Sequence, residues 1–94
     1  MTPNENGFVD FSLVMPAFNE EGNVGPLIDR IEKVMSRISG TYEIIVVNNG
    51  SDDSTPFVLE KLLKTCPRLV VLTLTRNFGY DGAIIAGLEN SRGN

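Results

Sequence analysis

Residues 43–55 read E-I-I-V-V-N-N-G-S-D-D-S-T, in which four consecutive apolar residues are followed by a polar segment. An apolar run without alternation is typical of a strand that is buried on both faces of a parallel sheet. Asn48, Asn49 and Gly50 permit the tight turn that such a strand needs at its end. The serine–threonine pair that closes the stretch can cap a following helix. The stretch therefore predicts a buried strand, a polar loop and a helix, in that order.

The same succession occurs on both sides of this stretch. Apolar runs cover 8–15, 42–47 and 69–74, and helical periodicity covers about 26–38, 56–66 and 81–90. Strands separated by segments of helix length imply right-handed crossovers and a parallel sheet. The predicted fold class is therefore α/β, a three-layer βαβαβα unit with helices on both faces of the sheet.

Length and charge restrict the class of protein. The chain has 94 residues, 41% of them hydrophobic, which fits one small domain of modest stability. A net charge of −4 disfavours nucleic acid and anionic membranes as partners. The chain has no histidine, and its lone cysteine, Cys66, can form no internal disulfide, so we expect a buried structural thiol there.

The chain contains no recognisable targeting segment. Residues 1–7 are polar and lack the basic start and apolar middle of a signal peptide, so we expect a flexible N-terminus there. No apolar run approaches the ~20 residues of a membrane span. The default expectation is a cytoplasmic location.

Three polar loops are predicted to lie beyond the carboxyl ends of the strands, where open parallel sheets bind their ligands. In the first loop, 16–22, Phe18 could stack on a base or fill the core. The second loop, 48–55, offers amides and carboxylates that could contact a nucleobase or a ribose, or form a plain turn before a helix cap. In the third loop, Arg76 could meet a phosphate or pair with a neighbouring aspartate.

The charge of these loops points to a divalent cation. Against Arg76 stand five carboxylates, those of Glu20, Glu21, Asp52, Asp53 and Asp81. Such an edge would repel a bare diphosphate, so a bound nucleotide diphosphate would need Mg²⁺ or Mn²⁺. No D-x-D follows the third apolar run, and no G-x-G-x-x-G or P-loop is present. We therefore expect the metal ligands beyond residue 94, on a further strand that ends in D-x-D or a close acidic variant.

Taken in order, the three loops resemble those of inverting family 2 glycosyltransferases. Residues 16–21, P-A-F-N-E-E, resemble the opening of that family, and 43–55 are similar to its second-strand motif, V-D-D-G-S-x-D-x-T. Residues 74–88, L-T-R-N-F-G-Y-D-G-A-I-I-A-G-L, are similar to S-R-N-F-G-K-x-x-A-x-x-A-G-L. The third motif points to the branch of dolichol-phosphate mannosyltransferase and bacterial polyprenyl-phosphate glycosyltransferases. The resemblance extends from about residue 11 to residue 94.

The resemblance implies that 1–94 form one partial domain, the N-terminal half of a Rossmann-like GT-A domain. Its expected ligand is the nucleotide part of a nucleotide-diphosphate sugar, with polyprenyl phosphate or another glycan as acceptor. The candidate nucleotide-binding residues are Pro16, Ala17, Phe18, Glu20, Asn48, Asp52, Arg76 and Gly79. Neither catalytic nor metal-binding residues are expected here, because the family's Mg²⁺ or Mn²⁺ ligands and catalytic segment come later.

Two positions depart from the family pattern. Asn48 and Asn49 stand in place of two acids, which leaves the base preference open, because an amide can donate as well as accept. Tyr80 and Asp81 stand where a basic residue is common, which weakens the case for a phosphate contact from this loop.

Three interpretations remain at this point: a donor-binding half of a glycosyltransferase, a non-catalytic nucleotide-binding or assembly module derived from it, and an unrelated doubly wound domain such as a receiver. A receiver would want an aspartate after its third strand, whereas 74–77 read L-T-R-N. For the first interpretation we expect no sugar transfer by the 94-residue chain alone and a full-length protein on the cytoplasmic face of a membrane. An open sheet edge would also favour self-association.

Overall fold

A computed structural model describes residues 9–38 and 40–92. Its elements are β1 (Phe11–Ala17), α1 (Val24–Met35), β2 (Tyr42–Asn49), α2 (Thr55–Leu63), β3 (Leu69–Leu74) and α3 (Gly79–Glu89). The strands form one parallel sheet in the order β1-β2-β3. The predicted α/β fold class is confirmed. The flexible N-terminus expected at 1–7 and the last two residues, 93 and 94, lie outside the described residues.

The central strand β2 organises the core, because all eight of its residues are buried. Successive side chains of a strand point to opposite faces, so this unalternating strand supplies apolar groups to two clusters. Ile44 and Val46 belong to the cluster beneath α1 and α2. Ile45 and Val47 belong to the cluster that contains Ala83 of α3. The uniform apolar run thus reflects a strand covered on both sides.

The helices divide unequally between the two faces. Helices α1 and α2 cover one face, while α3 alone packs against β1 and β2 on the other. The approach of α3 depends on Gly87, because a Cβ at that position would overlap the side chain of Val14. Helix α3 therefore runs back across β2 towards the outer strand β1. None of the helices within 9–38 and 40–92 has the length and hydropathy that crossing a membrane requires.

Apart from those of β3, the element boundaries differ from the predictions by up to three residues. The third strand has the predicted bounds, but β1 begins at Phe11 and continues through Pro16, where we expected it to stop. Within the described sheet β1 pairs only with β2, and a proline is tolerated in such an edge strand. Helix α1 begins at Val24, before Pro26. A proline is tolerated there because the first four N–H groups of a helix have no partner within the helix. Helix α3 begins at Gly79 rather than Asp81.

A buried carboxylate ties α3 to the amino-terminal edge of the sheet, opposite the polar loops. Glu43 is 1% exposed. Its Oε2 accepts hydrogen bonds of 2.6 Å from the Ser12 hydroxyl and from the backbone N–H of Arg92. Its Oε1 accepts one of 3.1 Å from the Arg92 guanidinium. These contacts join the start of β1, the start of β2 and Arg92, which lies beyond the end of α3.

We predict that Glu43→Gln makes the free energy of unfolding less dependent on pH in the acid range. Burial raises the pKa of Glu43, but the hydrogen bonds from Ser12 and Arg92 outweigh it and hold the pKa below the usual 4.5. A lowered folded-state pKa stabilises the protein above the unfolded-state pKa, and that stabilisation is lost as pH falls through the folded-state value. The variant should lose about 1–3 kcal/mol of unfolding free energy at pH 7, and the difference should shrink in acid.

Urea unfolding between pH 7 and pH 3 measures this difference. Glu60→Gln, a change at an exposed residue of α2, is the control. A difference between Glu43→Gln and wild type that stays constant with pH would contradict the assignment.

Candidate functional site

The three polar loops meet at the carboxyl edge of the sheet, as predicted. The first and second loops are joined by hydrogen bonds in both directions. The Asn19 N–H donates to Ser51 Oγ at 3.1 Å, and the Asp52 N–H donates to Asn19 Oδ1 at 3.0 Å. The Glu20 N–H donates to Thr55 Oγ1 at 2.9 Å. Loop one is therefore held in place by loop two and by the start of α2.

The second and third loops are in direct backbone contact. Gly50 has φ +72°, in the left-handed region that favours glycine. A Cβ at this position would overlap backbone atoms of Arg76 and Asn77. Nearby, the side-chain amide of Asn49 donates to Asn77 Oδ1 and to the Gly79 carbonyl, each at 3.1 Å. The third loop therefore lies directly against the end of β2.

A pocket of about 340 Å³ lies between the first and third loops. Its volume is at the lower end of the range for small-molecule sites, roughly 300–1,000 Å³. The lining residues are Pro16, Ala17, Phe18, Glu20, Asn49, Asn77, Gly79 and Tyr80. Five of the eight residues predicted from the sequence are among them. Phe18 is 41% exposed, so it lines this pocket instead of filling the core.

The other three predicted residues lie near the pocket lining but outside it. Asn48 is 1% exposed, and its Oδ1 accepts the Ser51 N–H at 3.2 Å, a bond of the kind expected for a plain turn. Asp52 is exposed in the second loop. The guanidinium of Arg76 lies over the ring of Phe78, 4.2 Å from its centroid. The part of all eight predicted residues in nucleotide binding stays a prediction.

Three lining residues were missed: Asn49, Asn77 and Tyr80. The alternation of side chains between the two faces of a strand could have identified Asn49. Pro16 pairs with Val47, so Pro16, Val47 and Asn49 point to the α3 face, whereas Asn48 points to the opposite face. Asn77 and Tyr80 lie on either side of the first residue of α3, and this helix begins two residues earlier than predicted.

The carboxylates of the loops are distributed unevenly around the pocket. Burial raises the pKa of Asp53, but hydrogen bonds from the hydroxyl and N–H of Thr55 outweigh it and lower that pKa. Asp53 thus serves the start of α2, and Glu20 is the carboxylate that lines the pocket. Across 9–38 and 40–92, no three histidine, cysteine, aspartate or glutamate side chains lie close enough together to hold a metal ion.

Comparison with known proteins identifies the family. Residues 12–94 match the sequence profile of glycosyl transferase family 2, and the chain belongs to that family. Over 86 residues it is 38% identical to dodecaprenyl-phosphate galacturonate synthase of Rhizobium johnstonii, covering 90% of this chain and 25% of that protein. Over 82 residues it is 37% identical to a prophage bactoprenol glucosyl transferase homolog of Escherichia coli K12, covering 87% and 27%. The chain thus spans about a quarter of the length of these relatives.

Two solved structures share the fold. TarS of S. aureus, residues 1–349, superposes with a TM-score of 0.72 at 24% identity, covering 89% of this chain and 25% of that one. The mannosyltransferase PcManGT of Pyrobaculum calidifontis, solved in complex with GDP-Man and Mn²⁺, superposes with a TM-score of 0.67 at 22% identity, covering 97% and 27%. The GT-A fold expected from the motifs is confirmed.

We predict that Gly50→Ala is destabilising because the added Cβ would both overlap the third loop and occupy a left-handed conformation. The expected loss of unfolding free energy is about 1–3 kcal/mol. Gly22→Ala is the matched control, since a Cβ there meets no atom within 4 Å. Denaturant unfolding compares the two. Equal stabilities would show that the second and third loops are not in close contact.

Proposed function

We propose that this chain forms the nucleotide-binding half of the donor site of a family 2 glycosyltransferase. The enzyme would transfer the sugar of a nucleotide-diphosphate sugar to polyprenyl phosphate or another glycan acceptor. The observation that carries the proposal is the pocket at the carboxyl edge of the sheet, lined by Phe18, Glu20 and two asparagine amides. Two observations on other proteins support it. The Rhizobium relative is named a dodecaprenyl-phosphate galacturonate synthase and the E. coli relative a bactoprenol glucosyl transferase homolog, and PcManGT was solved in complex with GDP-Man and Mn²⁺.

The lining residues suit a nucleoside. The exposed ring of Phe18 offers a face on which a base can stack. Glu20 is oriented by a hydrogen bond of 2.9 Å from the Asn23 amide to its Oε2, and its carboxylate can accept hydrogen bonds from ribose hydroxyls. Asn48 points to the face opposite Asn49 and its Oδ1 is engaged by the Ser51 N–H, so it would meet a base only through its Nδ2. Asp52 and Arg76 complete the rim of the site.

A diphosphate in this site requires a divalent cation, since Glu20, Asp52 and Asp53 make the edge acidic. When bound, Mg²⁺ or Mn²⁺ neutralises the charge that develops on the leaving diphosphate. We propose that its protein ligands come from beyond residue 94. The course of α3 across β2 to β1 supports a further strand beside β1, where the ligands would face the pocket.

We extend the proposal to the whole protein. Residues 1–94 are one partial domain, and the whole protein works on the cytoplasmic face of a membrane, where a lipid-phosphate acceptor is within reach. The open edges of β1 and β3 allow self-association of the isolated chain. A non-catalytic module is the less favoured alternative, because the relatives are named as sugar transferases.

We predict that the chain binds UDP or GDP weakly and that Asn48→Ala reduces the affinity several-fold or more. Loss of a buried hydrogen-bonding group costs ~1–3 kcal/mol, which corresponds to roughly 5–150-fold in affinity. Titration calorimetry measures both proteins, with Asn90→Ala at the end of α3 as control. Unchanged curves for Asn48→Ala would remove this residue from the site, and a wild-type chain that binds neither nucleotide would overturn the proposed function.

The 94-residue chain should transfer no sugar from any nucleotide sugar, with or without Mn²⁺, because the metal-binding and catalytic residues lie elsewhere. An assay of UDP or GDP release with a polyprenyl-phosphate acceptor measures this. Turnover by the purified chain would show that the catalytic residues are among those described.

A further inference from the structure

We propose that Asn49 is the positioning residue of the donor pocket, which it forms by holding the turn at 77–79 against the end of β2. The proposal rests on the proposed function, because the pocket in question is the nucleotide site. Asn49 itself is 4% exposed and lies at the last position of β2.

The amide of Asn49 is engaged at both of its ends. Both Nδ2 hydrogens are used, one by Asn77 Oδ1 and one by the Gly79 carbonyl, each at 3.1 Å. Its Oδ1 accepts the Phe78 N–H at 3.0 Å. Asn77 Oδ1 also accepts the Gly79 N–H at 2.7 Å. Because the group must donate twice and accept once, an amide fits the position, whereas an ionised carboxylate, which only accepts, cannot make the same three bonds.

Packing does little to hold this turn in place. Every residue from Arg76 to Asp81 is exposed. Gly79 has φ +80°, and a Cβ built on it would meet no atom within 4 Å. The contact of Gly50 restrains only the start of the turn, at Arg76 and Asn77. Within the turn, Asn77 Oδ1 accepts the Gly79 N–H and Arg76 lies over the Phe78 ring. The amide of Asn49 is what ties Phe78 and Gly79 to the end of β2.

One wall of the pocket depends on this restraint. Asn77, Gly79 and Tyr80 line that wall, and Pro16, Ala17, Phe18 and Glu20 line the other. The second wall is fixed separately by the bonds of loop one to Ser51 and Thr55. Removing the Asn49 amide should consequently loosen one wall while the opposite wall and the core beneath β2 stay in place. The residue acts on the nucleotide through the turn.

Two measurements on Asn49→Ala test the proposal: the hydrogen-exchange rate of the Phe78 backbone amide by NMR, and the affinities for UDP and GDP by calorimetry. We expect the exchange at Phe78 to accelerate and the affinity to fall, each by about tenfold or more, while the amides of β2 keep their protection. Asn90→Ala is the matched control, because it also removes an amide that donates to a backbone carbonyl, at 2.9 Å to Ala86. It should change neither quantity.

The outcomes separate this proposal from the function on which it rests. Wild-type affinity in Asn49→Ala overturns the positioning role. A wild-type chain that binds neither nucleotide overturns the proposed function and the nucleotide role of Asn49 with it, while the exchange rate at Phe78 still reports whether Asn49 holds the turn.

If Asn49→Ala fails to fold, Asn49→Asp replaces it. This variant keeps the acceptor for Phe78 but lacks the donors, so we expect a smaller loss of affinity in the same direction, and no loss overturns the proposal.

Discussion

Complete burial of β2 is the constraint on which the other elements depend. A strand with apolar side chains on both faces must be covered twice, by α1 and α2 on one side and by α3 on the other. Its polar end lies at the edge of the sheet where the three loops meet. Asn48 and Asn49 occupy that end, each is almost fully buried, and the Oδ1 of each accepts a backbone N–H.

The two-residue period of a strand assigns these amides to different loops. Asn48 points to the α1/α2 face and meets the second loop, which in turn holds the first. Asn49 points to the α3 face and meets the third loop. Neighbouring positions in the chain thus organise opposite sides of one site. The same division explains why a doublet of polar residues, instead of a single one, follows the apolar run.

Most of the fold was predictable, because the spacing of apolar runs and helical segments leaves few alternatives. The bounds of β3 were predicted correctly, whereas the end of β1 was not, since the tolerance of Pro16 depends on its place in an edge strand. Five of the residues predicted from motif resemblance line the pocket, while their part in nucleotide binding stays a prediction. Asn49 and Asn77 were missed because their contact depends on the strand register and the conformation of a glycine turn, which the residue types alone do not specify.

The order of the strands in the sheet is also their order in the chain. Each strand therefore pairs with one already synthesised, and a nascent polypeptide can extend this sheet one βα unit at a time as it leaves the ribosome. The contact between Glu43 and Arg92 spans 49 residues and forms only after α3 has emerged. Completion of this half-buried ion pair thus marks the stage of synthesis at which both faces of β2 are covered and the nascent domain ceases to expose its central strand.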